Sequence, residues 1–190
     1  MRAIGWMALA ATVTLAACGD DNGSTGPGPG NPGSSGFTAK VSGDVQVPSV
    51  KGAALFGTAV DEAQGEVFGL EMSESGSGGS LIQIVRLGGQ VPAVGTYDIK
   101  DALNTTPGSG DFVATAFDTD NGQPAAIFVA TGGTLTVTQS SATAFKGTFT
   151  FDAQGGLFSD PETTLNITVE GTFNASPATG AIQITSLRTR

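Results

Sequence analysis

The chain is expected to fold as an all-β domain, an antiparallel β-sandwich or flattened barrel of about 9–11 strands, behind a short N-terminal leader. Three observations carry that expectation. Apolar and polar residues alternate with period two in many short runs. The runs are separated by clusters of Gly, Pro, Asn and Asp, drawing on 29 glycines in 190 residues. No helical period persists beyond the leader, so the alternating βα pattern of a parallel sheet is excluded.

Residues 1–17 carry one base, Arg2, and no acid. An apolar stretch from Ala3 to Ala17 follows, broken only by Gly5, Thr12 and Thr14. A basic start, a short apolar run and small residues before a cut mark a secretory signal. The run is shorter than the ~20 apolar residues that a membrane-spanning helix needs. Its last residues, Leu15-Ala16-Ala17-Cys18, resemble a lipobox, the processing site of bacterial lipoproteins. The resemblance implies that a diacylglycerol joins the Cys18 thiol and that the peptide is cut just before it. Two or three acyl chains anchor a protein effectively permanently, whereas one chain, at about 0.8 kcal/mol per buried methylene, holds it only marginally. The expected address is therefore the bacterial cell envelope, through the membrane. Gly19, in place of the Asp that favours inner-membrane retention in enterobacterial lipoproteins, favours the outer membrane.

Residues 18–36 are read as the lipidated cysteine and a tether. From Gly19 to Gly36 the only apolar side chains are prolines, so the segment has nothing to bury and is expected to stay disordered. As a flexible Gly-rich coil it would reach about 24 Å, a spacer between membrane and domain.

The domain is placed at 37–190. Phe37, Ala39, Val41, Val45 and Val47 alternate with Thr38, Lys40, Ser42, Asp44 and Gln46, the signature of a half-buried strand that Pro48 should end. Further strands are expected at Ala53–Val60, Glu66–Ser73, Leu81–Leu87, Thr96–Ile99, Phe112–Phe117 and Ala126–Ala130. Four more follow at Thr134–Thr138, Phe145–Phe151, Leu165–Phe173 and Ala181–Ser186. Turns are expected at Asp61–Gly65, Gly76–Gly79, Gly88-Gly89, Thr106–Gly110, Asp120-Asn121-Gly122 and Gly132-Gly133. In the late strands Phe145, Phe149 and Phe151, or Leu165, Ile167 and Val169, share one face, and threonines occupy the other. One apolar and one Thr-rich face describe an antiparallel sheet solvated on one side. No regular repeat is present to build an ordered surface ladder of threonines. The echo between Gly147-Thr148-Phe149-Thr150-Phe151 and Gly171-Thr172-Phe173-Asn174 reads as convergent strand composition.

These elements resemble a group of small bacterial lipoprotein domains of unknown function. The resemblance rests on Gly95-Thr96-Tyr97, Gly133-Thr134-Leu135-Thr136-Val137-Thr138, the two Gly-Thr-Phe stretches and the opening Phe37–Gly43. It implies a β-sandwich on a lipid tether and brings no activity or functional residue. The Trp that some members carry after the opening Gly is missing.

The chain has 8 basic and 17 acidic side chains and no histidine. Its acidic balance argues against nucleic acid as a partner. Without imidazole there is no Ser–His–Asp or Cys–His chemistry and no His-based zinc site. With Cys18 acylated there is no free thiol and no disulfide. No catalytic residue and no cofactor are expected. Carboxylate chemistry would need two acids across a cleft. The acids available are Glu66, Glu71, Glu74, Asp98, Asp118 and Asp120, and Glu66 and Glu71 should point to opposite faces of one strand. Asp118-Thr119-Asp120-Asn121-Gly122 begins like a calcium loop but departs from it at Gly122, Gln123 and Val129. A hairpin turn is the better reading, with Asp118 and Asp120 the only metal candidates. Trp6 lies in the leader and Tyr97 is the single Tyr, so the stacking platforms usual in sugar-binding sandwiches are lacking. The expected role is non-enzymatic, binding a protein partner in the envelope or shaping the surface. The alternative is a module for a carbohydrate, Ca²⁺ or a small apolar ligand, and a carboxylate hydrolase comes third.

Overall fold

The computed structural model describes residues 35–61, 64–74, 79–120, 123–180 and 182. Among the described residues there are nine strands: β1 (Gly36–Gly43), β2 (Val47–Asp61), β3 (Gly65–Glu74), β4 (Leu81–Leu87), β5 (Gly95–Ile99), β6 (Phe112–Asp120), β7 (Gln123–Ser140), β8 (Phe145–Leu157) and β9 (Asp160–Pro177). The domain is all-β, and of the two arrangements expected the sheet takes the closed one. Its order is β1-β2-β3-β4-β6-β5-β7-β8-β9, with β9 returning to β1 along eight residue pairs. Closure removes the free edges on which other chains could add.

Most neighbours are antiparallel, with two parallel exceptions. Short β5 wedges between β6 and β7 at one end. There it runs antiparallel to β7 from Gly95↔Val137 to Ile99↔Gly133 and meets β6 in parallel at Ile99↔Phe112. At the other end β6 pairs with β7 directly. The tail of β9 runs parallel to β2 at Leu55↔Ser176 and Phe56↔Pro177.

Two expected boundaries are overturned, for one reason. Pro48 does not end a strand: β1 stops at Gly43, which turns in the left-handed region at φ 111°, and Pro48 sits inside β2. Two residues, Pro48 and Ser49, lie between partners Val47↔Val41 and Val50↔Ala39. Such a bulge is one of the few places where a sheet tolerates a residue without an N–H. Gly132-Gly133 is likewise no turn but a slip in register inside β7, between Ala130 and Gly132. Ala126, Phe128 and Ala130 face inward before it, Leu135 and Val137 after it. The extra residue keeps both apolar sets pointing the same way. The expected strand at Ala181–Ser186 falls almost wholly outside the described residues.

The inward faces fill the barrel. Nine of the eleven phenylalanines belong to one buried cluster, together with Leu70, Met72, Ile82, Ile84, Leu135 and Val169. The ring of Phe145 contacts those of Phe56, Phe68 and Phe173 at centroid distances of 5.1–5.6 Å. The two Gly-Thr-Phe stretches lie side by side on β8 and β9, antiparallel and centred on Thr148↔Thr172. Gly147 thus faces Phe173, and Phe149 faces Gly171. Each ring occupies the space that a Cβ on the opposing glycine would need: 2.9 Å from Phe173 Cζ at Gly147, and 2.7 Å from Phe149 Cζ at Gly171. The echo in the sequence is a reciprocal packing unit.

A second apolar cluster lies on the outer side of β3, β4 and β6. It contains Val67, Val85, Leu87 and Val113, with Ala59 and Ala102 against it. Ala102 belongs to the β5–β6 connection, whose first turn is tied by Asp101. The Oδ1 of Asp101 accepts the N–H groups of Leu103 and Asn104, each at 2.9 Å. The Asn104 side-chain amide, which donates to Oδ2 at 2.8 Å, and then these backbone bonds hold the exposed Asp101 carboxyl below its ordinary range.

Candidate functional site

With phenyl rings filling the interior, the surface open to other molecules is the outer wall, and its two sides differ. On β2, β3, β4 and β6 the outward row Leu55–Glu71–Gln83–Thr115 continues to Val129 on β7. Gln83 and Thr115 are 3% and 4% exposed. Glu71 is half-buried here, and desolvation raises its carboxyl above the ordinary value. The next row, Gly57–Gly69–Val85–Val113, is a trough of missing side chains at its β2 end. Ile182, only 7% exposed, reaches within 3.3 Å of where a Gly57 Cβ would stand.

The other side, on β5, β7, β8, β9 and β1, is polar and ordered. Cross-strand pairing places Thr96, Thr136, Thr148, Thr172 and Thr38 in one row over five adjacent strands. Lys51 on β2 stands opposite Thr38 at its end. A second row runs Asp98, Thr134, Thr150, Glu170 and Lys40. Neighbours within a row stand about 4.8 Å apart, and the rows lie about 6.8 Å apart. Thr134 and Thr136 are half-buried on the floor and the others exposed. The Thr96 and Thr136 hydroxyls are 3.4 Å apart. Lys40 pairs with Glu170 at 3.7 Å and Lys100 with Asp98 at 3.3 Å. The threonines of β1, β7, β8 and β9 in these rows, with Lys40, Glu170 and Pro48, line an open groove of about 470 Å³.

This ladder corrects the sequence expectation. The rows do not follow a repeat of fixed period along the chain. The signal was instead the tripeptide Gly-Thr-(aromatic or Leu) at 95, 133, 147 and 171. Each copy lies on a strand, its glycine and large residue turned inward and its threonine outward. Register, which no single strand reveals, aligns the copies at 95, 147 and 171 in the first row with Thr136 and Thr38, and sets the copy at 133 in the second row through Thr134.

The remaining expected residues are dispersed. Cys18 and the leader lie outside the described residues, among which no helix is long and apolar enough to cross a membrane. Asp118 and Asp120 are exposed on the β6–β7 hairpin, where Asp120↔Gln123 leaves a two-residue connection. The Asp118 carboxylate accepts the N–H of Thr119 at 3.1 Å. No group of three metal-ligating side chains occurs among the described residues. Glu66 and Glu71 sit on opposite faces of β3, as the spacing required. Glu74, at the far end of β3, accepts the N–H of Ser80 at 3.2 Å. Tyr97 is no exposed platform. Its ring packs 5.0 Å from Phe112, and its hydroxyl donates to the Ala93 carbonyl at 2.8 Å. Comparison of the chain with protein-family profiles, curated proteins and solved structures returned no match.

Proposed function

We propose that the protein is a lipid-anchored, non-enzymatic component of the bacterial cell envelope, a barrel carried on a tether from Cys18. The observation that carries the binding half of this reading is the filled interior. Nine phenylalanine rings occupy the space where a barrel of this kind would hold a ligand or a reaction. Recognition then falls to the outer wall. The anchoring half rests on Leu15-Ala16-Ala17-Cys18 and the Gly/Pro/Ser segment behind it. Labelling with an alkyne fatty acid in a bacterial host tests it: the wild-type chain takes up label and partitions with membranes. A Cys18→Ser variant takes up none and is recovered soluble. Equal labelling of the two would overturn the anchor. Outer membrane rather than inner is the expected fraction.

A second reading, a module that binds a soluble or polymeric ligand, is favoured by the groove over the threonine rows. A carboxylate hydrolase has no comparable support, because its candidate acids are spread over separate faces and ends of the barrel.

A further inference from the structure

We propose that the threonine groove on β7, β8, β9 and β1 is a binding site for an extended neutral polysaccharide. The inference rests on the second reading above and names its ligand.

The chemistry of the surface selects the ligand. A threonine hydroxyl is at once one donor and two acceptors. An anion needs donors only and a cation acceptors only. A surface that repeats both is matched by a ligand that repeats both, and a chain of hydroxyl-bearing sugars does so. The five-threonine row is about 19 Å long, from four inter-strand steps of about 4.8 Å, which suits a polymer rather than a single sugar. The groove's volume of about 470 Å³ falls within the roughly 300–1,000 Å³ of small-ligand sites, while its open form lets a chain run through.

Charge points the same way. The molecule carries a net charge of −9, yet here Lys40 and Glu170 neutralise one another, as do Lys100 and Asp98, with Lys51 outside these two pairs at the end of the first row. A neutral polymer meets no repulsion at this face, whereas an anionic one must approach an acidic molecule. A protein partner fits less well, since interface cores are built on aromatic and large apolar anchors. The exposed large apolar residues, Leu55, Val60, Val91, Val94, Leu103, Leu157 and Phe158, all lie outside the threonine rows. In place of an aromatic platform the site offers threonine methyls and the Pro48 ring, so each sugar contributes little and binding grows with chain length.

The test uses the full acylated chain in detergent micelles and affinity electrophoresis through gels containing hydroxyethylcellulose, dextran or mannan. Carboxymethylcellulose serves as the anionic counterpart. At least one neutral polymer should retard the protein, and carboxymethylcellulose should not. A Thr136→Val/Thr148→Val/Thr172→Val variant keeps shape and strand preference but loses three hydroxyls. It should bind at least tenfold more weakly with an unchanged melting temperature. Absence of retardation in every neutral gel overturns the proposal. If a melting shift with Ca²⁺ or an apolar ligand is then found, the module reading survives without it. Retardation that the valine variant keeps places the site elsewhere. Inhibition of ice recrystallisation without polysaccharide binding assigns the ladder to ice and overturns the proposal.

Discussion

The reciprocal glycine–phenylalanine unit makes a prediction with a size and an internal control. In Gly171→Ala the new Cβ would stand 2.6 Å from the Thr38 carbonyl oxygen and 2.7 Å from Phe149 Cζ. In Gly147→Ala it would stand 2.0 Å from the Thr136 carbonyl oxygen and 2.9 Å from Phe173 Cζ. A ring can shift by a few tenths of an ångström, but a carbonyl in the ladder cannot move without its strand. Overpacking of this kind costs about 1–3 kcal/mol. Gly171→Ala is expected near 2 kcal/mol, and Gly147→Ala at about 3 kcal/mol or above. Phe149→Ala alone should cost about 3–5 kcal/mol through the cavity it leaves. Combined with Gly171→Ala it should cost less than the sum by about 1 kcal/mol, since neighbours sharing one space couple. Urea denaturation followed by far-ultraviolet circular dichroism measures all four, provided the slopes agree. Strict additivity of the pair, or a Gly147→Ala cost within about 0.5 kcal/mol of zero, the range of ordinary surface changes, would refute the packing argument.

Three further outcomes are expected. Burial raises the Glu71 carboxyl above its ordinary 4.5, so between that value and the folded one the native state holds more protons than the unfolded chain. Stability therefore falls as pH rises through this window. Glu71→Gln should melt higher than wild type at neutral pH, with the gain gone below pH 4.5, and an equal gain at all pH would count against the reading. Ile182→Ala should cost about 2 kcal/mol by loss of a buried side chain, whereas Val60→Ala, at a position 78% exposed, should change stability by less than about 0.5 kcal/mol. Ca²⁺ at saturating concentration should leave the melting temperature unchanged, as a ligand of the folded state would raise it. A rise abolished by Asp118→Asn/Asp120→Asn would restore the calcium reading.

What the sequence reveals depends on how many faces of a strand are buried. β8 and β9 have one face inside and one in solvent, and their alternation exposes both. β4 is readable at its bounds because Leu81–Leu87 is apolar almost throughout. The same continuity hides its second packing surface: Ile82–Val85 and Phe112–Ala116 are buried on both faces, a pattern more familiar from parallel sheets. β2 and β7 read as broken because a bulge shifts the phase of the alternation, and a phase shift in one dimension resembles an end. The threonines were legible as an outward face but not as a ladder. Their alignment is set by the pairing of strands far apart in sequence, Thr38 with Thr172 and Thr96 with Thr136.

Register also ties the candidate site to the core. In each Gly-Thr-(aromatic or Leu) stretch, the threonine stands between two inward residues whose fit is steric. Thr148 and Thr172 face each other because Gly147 must meet Phe173 and Phe149 must meet Gly171. A slip of one residue would turn the threonines inward and the rings into water. The hydroxyl rows are therefore held by packing that no surface ligand supplies, and the groove is organised before anything enters it, which lowers the ordering cost of binding. Surface threonines can vary at little cost to the barrel, while the glycines and rings cannot. The wall is free to change what it recognises as long as the tripeptide keeps its inner two residues.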